Sequence, residues 1–163
     1  MSVSGPRAPA STVRLARTLG RMPIASVPPP HAELRFLSKQ DLRLLADGLL
    51  APDPWIVDRC IEFVIAETSG LWHGRARAMM CRRLKHCEFG RTNRDRLVAC
   101  ILGRLRTGSF SEQFKDQLRL ALLLERSKTL ETCEQALSSQ KPHVRRYGAW
   151  AIALDRAHEE NAA

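Results

Sequence analysis

Apolar residues recur every three or four positions along most of the chain after Pro30, which is the spacing of an amphipathic α-helix. Short segments that contain Gly, Pro, Ser or Asn interrupt this pattern and divide it into about seven predicted helices. The first four are 38–50, 53–70, 73–89 and 93–106, and three more begin at residues 111, 129 and 141. No segment alternates in β-branched residues as a strand does, so the sequence predicts an all-α fold.

Particular residues mark the ends of the predicted helices. Ser38 is expected to cap the first helix, because a serine side chain can accept the unpaired N–H groups of a first turn. Asp53 followed by Pro54 is typical of a cap and a first helical position. Gly90 is expected to end the third helix, and Thr129 to open the sixth.

Residues 1–30 differ from the rest of the chain. They contain four arginines, six prolines and no acidic residue. A segment of this kind cannot bury enough apolar surface to offset the entropy lost on ordering, so we expect a disordered basic tail followed by a single all-α domain, 31–163. The alternative is a presequence that resembles a transit peptide, which is also rich in Arg and Ser. The protein would then be located in an organellar matrix.

A stretch near the C-terminus resembles the second helix of a HEAT or armadillo-like repeat. Residues 142–152 contain a Val-Arg pair followed by Gly148 and Ala149, small residues at the place where neighbouring helices of that family approach closely. Residues 53–66 match the same stretch more loosely. The resemblance implies a short HEAT-like α-solenoid that works as a scaffold or adaptor. An irregular helix bundle is the alternative, because Gly and Ala occur at these spacings in ordinary bundles.

The net charge of +9 and the isoelectric point near 10.1 are the unusual features of the composition. Residues 75–108 carry ten basic and two acidic side chains, which accounts for most of the excess in the predicted domain. Helical geometry places the basic residues of the third helix on one ridge. The basic residues of the fourth helix are expected to project outward, and the two sets are expected to form one patch. The patch is predicted to contain Arg75, Arg82, Arg83, Lys85, Arg96 and Arg104. Trp72, just before the third helix, is available to stack on a base or on a partner.

Templates for catalysis and for metal binding are missing from the sequence. It contains no HExxH, GxSxG, phosphate-loop or dinucleotide motif, so neither an enzyme nor a cofactor is expected. Cys81 and Cys87 are six residues apart, about 240° around a helix, and cannot hold one ion together. We expect no metal site.

The cysteines and the apolar runs bear on the compartment. Five cysteines leave an odd thiol after any pairing, and most lie in apolar helical stretches, so free thiols in a reducing, cytoplasmic compartment are expected. No apolar run reaches the ~18 residues of a membrane helix. A role in the membrane is therefore not expected.

The sequence leaves two functions open. The first is a non-enzymatic interaction or adaptor module whose arginine-rich patch binds an acidic protein surface. The second is nucleic-acid binding, in which the same patch contacts phosphates without regard to base sequence.

Overall fold

The structure is a computed structural model that describes residues 32–110 and 113–162. A 3-10 helix at Ala32–Phe36 is followed by seven α-helices: α1 (Lys39–Gly48), α2 (Pro54–Ile65), α3 (His73–Leu84), α4 (Arg91–Thr107), α5 (Lys115–Leu124), α6 (Arg126–Ala136) and α7 (Pro142–Ala162). The described residues contain no strand, so the prediction of an all-α fold with about seven helices is confirmed. The predicted tail, residues 1–30, and the predicted start of the fifth helix at residue 111 lie outside the described residues.

The first two helices begin where their capping residues predict. The Ser38 side chain accepts a hydrogen bond from the Asp41 N–H at 3.2 Å, and the Asp41 carboxylate accepts one from the Ser38 N–H at 2.9 Å. The carboxylate of Asp53 accepts the Ile56 N–H at 3.0 Å, with Pro54 in the first turn. These bonds satisfy N–H groups that a helix start leaves without an internal partner.

Two predicted helix ends are wrong. The α3 helix ends at Leu84, because the next turn tightens to bonds between N–H groups and carbonyls three residues earlier. Gly90 does not end α3 but precedes the first residue of α4. The α6 helix begins three residues before Thr129, which is fully buried and donates its hydroxyl to the Glu125 carbonyl at 2.6 Å.

The helices alternate between two layers. The odd-numbered helices α1, α3, α5 and α7 contact one another in that order, and the even-numbered helices α2, α4 and α6 do the same. Large apolar side chains fill the core that they share, among them Phe63, Phe114, Met80, Leu97 and Leu102. In this arrangement α3 packs between α1 and α5, whereas α4 packs against α2, α5 and α6. That the alternation makes a HEAT-like solenoid stays a prediction.

The small residues of α7 differ in their surroundings. A Cβ atom on Gly148 would lie 2.7 Å from the carbonyl oxygen of Cys133 and 3.0 Å from the Cβ of Ala136, so the backbones of α6 and α7 approach as closely as the resemblance implies. Ala149, in contrast, is exposed, so its predicted place in this contact is wrong.

Candidate binding groove

A groove of about 660 Å³ runs over α1, α3 and α5 on the layer of odd-numbered helices. Its lining contains seven basic side chains and two carboxylates, Asp47 and Asp116. The basic residues are Lys39 and Arg43 from α1, Arg75, Arg82 and Arg83 from α3, and Lys115 and Arg119 from α5. The difference between the two sets is five positive charges, and we call this surface the basic groove.

The floor of the basic groove is apolar. Leu42, Ala76 and Ala78 line it and are buried, and Met79 is half-buried beside them. Trp72 also lines the groove and keeps 37% of its surface exposed. The groove therefore combines charged walls with a hydrophobic base, an arrangement suited to ligands that are both anionic and apolar.

The two carboxylates hold arginines in place across the helices. Asp47 of α1 accepts a hydrogen bond from Arg83 of α3 at 2.8 Å. Asp116 of α5 pairs with Arg119 at 3.1 Å and with Arg82 of α3 at 3.7 Å. Such partly exposed ion pairs add little stability, but they fix the guanidinium groups in position.

Tryptophan rings support other cations of the basic groove. The ammonium group of Lys39 lies 3.9 Å from the ring centre of Trp72, and the guanidinium of Arg75 lies 5.3 Å from it. The ammonium of Lys115 lies 5.1 Å from the ring centre of Trp150 on α7. Cations at these distances are attracted by the negative faces of the rings.

Three of the cations occupy unfavourable positions for the fold. Lys39 and Lys115 are the first residues of α1 and α5, and Arg75 is the third residue of α3. The N-terminal end of a helix carries partial positive charge, so a cation there costs stability. Neither carboxylate of the groove makes an ion pair with any of the three. Residues whose charge is unfavourable for the stability of their own helix are typical of functional surfaces.

Four of the residues predicted from sequence meet in the basic groove. Arg75, Arg82 and Arg83 lie on the face of α3 that forms its middle wall, and Trp72 precedes them. Their helical spacing was sufficient to place them together.

The other three predicted residues lie elsewhere. Lys85 is exposed after the last residue of α3 and does not line the groove. Arg96 donates two hydrogen bonds to Glu62 of α2, at 2.6 and 3.1 Å. Arg104 is buried and does not project outward. The prediction of one patch on the third and fourth helices is therefore wrong, because α4 packs chiefly against α2, α5 and α6 and its Arg104 turns inward to the end of α2.

Arg104 serves the end of α2. Its guanidinium donates to the carbonyl oxygens of Val64 at 2.7 Å, Ile65 at 3.0 Å and Ala66 at 3.3 Å, and to the side-chain oxygen of Gln117 at 2.9 Å. The last carbonyls of a helix have no partner within the helix and carry partial negative charge. A buried arginine at this point satisfies them.

Sequence reasoning missed the four basic residues on α1 and α5. Summed by segment, residues 31–74 carry net charge −3 and residues 109–163 carry none, which concealed their local excess. The spacing of basic residues within single helices does indicate them. Lys39 with Arg43, and Lys115 with Arg119, are basic pairs four residues apart at the start of a helix.

The five cysteines are buried or half-buried among apolar side chains. Burial raises the pKa of the Cys60 thiol to about 12 and that of Cys133 to about 11, and it raises the pKa of the other three thiols as well. A thiol with a raised pKa stays protonated at neutral pH and is a poor nucleophile. These residues are part of the packing.

Outside the basic groove, the described residues contain no candidate metal site and no membrane-spanning helix. Among residues 32–110 and 113–162, no group of three or more His, Cys, Asp or Glu side chains could hold a metal ion. No helix in the same ranges is long and apolar enough to span a bilayer. No protein-family model, curated protein or solved structure matches the chain.

Proposed function

We propose that this protein is a non-enzymatic interaction module that binds an acidic protein partner in the basic groove. One observation carries the proposal: three helices contribute seven basic side chains, against two carboxylates, to one groove with an apolar floor. A groove of this kind attracts an anionic partner over a distance and can then bury its apolar side chains.

The composition of the basic groove favours a protein over a nucleic acid. Trp, Met and Arg are the residues enriched at protein interfaces, and the groove contains Trp72, Met79 and five arginines. One feature disfavours nucleic acid. Lys39 and Arg75 lie over the ring of Trp72, so a base would have to displace a cation to stack there.

The test is a charge reversal that preserves the fold. Arg75→Glu combined with Lys115→Glu changes the charge of the groove by four units and removes neither partner of an ion pair within it. Both positions lie in the first turn of a helix, where glutamate is favoured. Arg94→Glu with Arg156→Glu is the matched control, because both arginines are exposed and outside the groove.

Binding is measured by fluorescence anisotropy with two probes of similar length. One is a labelled helical peptide with Glu and Leu on opposite faces, and the other is a labelled single-stranded oligonucleotide. We expect the peptide to bind more tightly at 150 mM salt, with at least about a tenfold loss of affinity in the groove variant and little loss in the control.

Two results would contradict the proposal. Tighter binding of the oligonucleotide, lost in the groove variant, would assign the groove to nucleic acid. Purified protein would then also carry nucleic acid that high salt removes, read as the ratio of absorbance at 260 and 280 nm. Equal losses in the groove variant and the control would show that only total charge matters.

A further inference from the structure

A turn composed mostly of apolar residues joins α1 to α2. All six residues from Leu50 to Trp55 are exposed, and five of them are apolar. Leu50 keeps 70% of its surface exposed, and Trp55 keeps 66%. Exposed apolar surface is unfavourable in water, and several such residues together are typical of a surface that another molecule covers.

A cleft of about 550 Å³ lies between this turn and the turn that joins α3 to α4. Three carboxylates line the cleft, those of Asp53, Asp58 and Glu88, and no described lysine or arginine does. Its other titratable side chains are His86 and the half-buried Cys87. We call residues 50–55, together with the lining of this cleft within 52–58 and 86–90, the acidic edge.

One of the three carboxylates is partly balanced inside the molecule. Asp58 accepts a hydrogen bond from the side-chain amide of Asn93 at 2.9 Å. The charge of Arg96 also reaches Asp58, but this guanidinium is already bound to Glu62 at 2.6 Å. The net charge of the acidic edge therefore depends mainly on its other two carboxylates.

Those two carboxylates form no ion pair with a described residue. Asp53 caps α2, and Glu88 is exposed. Lys85 and Arg91 stand at the two ends of the turn between α3 and α4, but neither lines the cleft, and Arg91 lies 3.8 Å from Asp95. The acidic edge thus keeps a negative charge on a chain whose net charge is +9.

The acidic edge complements the basic groove. The groove has five more positive than negative charges above an apolar floor, and the edge has carboxylates beside exposed apolar side chains. Surfaces of opposite potential attract each other, and the apolar side chains between them are then removed from water. No residue lines both surfaces, and α1 packs against both α2 and α3, so one molecule cannot place its own edge in its own groove.

We propose that the acidic edge of one molecule binds in the basic groove of a second copy, so that the protein self-associates. The inference rests on the proposed function, because it names the acidic protein that the groove binds. Trp55 and Leu50 cover the apolar floor at Leu42, and the carboxylates meet Lys39 and Arg75, which pair with no carboxylate of the groove. Repulsion between two chains of charge +9 is screened beyond about 8 Å at physiological salt, so the local charges decide the contact.

The first measurement is the average mass of the full chain by sedimentation equilibrium over about 1–200 μM at 150 mM NaCl. We expect this mass to rise above the monomer value of 18.4 kDa as the concentration increases, and to fall back toward it in 1 M NaCl, because salt screens the contact. The two contacting surfaces differ, so the contact is heterologous and leads to a ring or to an open chain of molecules.

Two variants each remove one half of the contact. The groove variant is Arg75→Glu with Lys115→Glu, and the edge variant is Trp55→Gln with Glu88→Lys. Each alone is expected to self-associate at least about tenfold more weakly than the wild type. An equimolar mixture should form a 1:1 complex, because the first variant keeps its edge and the second keeps its groove. The groove variant also lowers the net charge from +9 to +5, so general repulsion cannot explain its loss of association.

A matched control separates the acidic edge from the rest of the surface. Leu123→Gln with Glu134→Lys also removes one exposed large apolar side chain and reverses one exposed carboxylate, but at positions outside both surfaces. This control should self-associate as the wild type does. Circular dichroism checks that each variant is folded, and Leu50→Gln with Glu88→Lys replaces the edge variant if Trp55→Gln does not fold.

Three results would overturn the inference. The first is a wild type that stays monomeric at every concentration, and the proposed function stands in that case if the acidic peptide still binds the groove. The second is an edge variant that associates as its control does, or a mixture that forms no complex. The third is a monomeric wild type that binds a helical peptide of Lys and Leu through the acidic edge, which would assign the edge to a different, basic protein.

Discussion

The α3 and α4 helices have the same net charge and use it differently. The first contains four arginines and no acid, and the second contains five arginines and one aspartate, so each carries +4. On α3, three arginines line the basic groove. On α4, Arg96 is paired with Glu62 and Arg104 is buried at the end of α2. The role of an arginine is thus decided by the helix that packs beside it, because that helix brings either carbonyls and carboxylates or further cations.

The strongest test of this contrast compares Arg104 with Arg82. Replacing Arg104 with Met leaves buried carbonyl oxygens at the end of α2 without their donor, and we expect a loss of about 3 kcal/mol in the free energy of unfolding. Replacing Arg82, whose side chain is 59% exposed, is expected to change it by less than about 0.5 kcal/mol. Urea denaturation measures the free energy of unfolding of both variants. Similar losses at the two positions would remove the contrast between the helices.

Most of the fold followed from the sequence because its signals are local. Periodicity identified the seven helices, and Ser38 and Asp53 marked where two of them begin, since a cap bonds to N–H groups two or three residues away. The errors at Gly90 and Thr129 have a related cause. Glycine and threonine occur both at the predicted kind of helix end and at other positions. Only the surrounding packing decides which of these positions such a residue takes.

The binding groove could be predicted only in part, because three separate helices build it. The spacing of residues on α3 grouped Arg75, Arg82 and Arg83 correctly. The sequence could not show that α1 and α5 are the helices beside them. For the same reason Arg104 was placed on the surface, since its acceptors are about 40 residues away along the chain.

The second test compares the ion pairs that the two helices make. Arg96 of α4 donates two hydrogen bonds to Glu62, whereas Arg83 of α3 donates one to Asp47. Double-mutant cycles with alanine are expected to give a coupling energy of about 0.5–1 kcal/mol for the first pair and about 0.2–0.5 kcal/mol for the second. The bidentate pair should be stronger because two parallel bonds hold it. A larger coupling energy between Arg83 and Asp47 than between Arg96 and Glu62 would contradict this expectation, because the pair at the basic groove would then be the stronger one.

The smallest expected effect tests whether cations at helix starts cost stability. Arg75→Glu removes an unfavourable charge from the first turn of α3 and adds a favourable one, and each change is worth about 0.3–1 kcal/mol. The lost contact with Trp72 costs about 0.5 kcal/mol, which leaves a net gain of about 0.5 kcal/mol in the free energy of unfolding. Lys85→Glu, at the opposite end of the same helix, should reduce that free energy, because the C-terminal end favours a cation. Both effects should shrink in 1 M NaCl. A loss of stability from Arg75→Glu would mean that Arg75 supports the fold, and the argument that its position is kept for binding would fail.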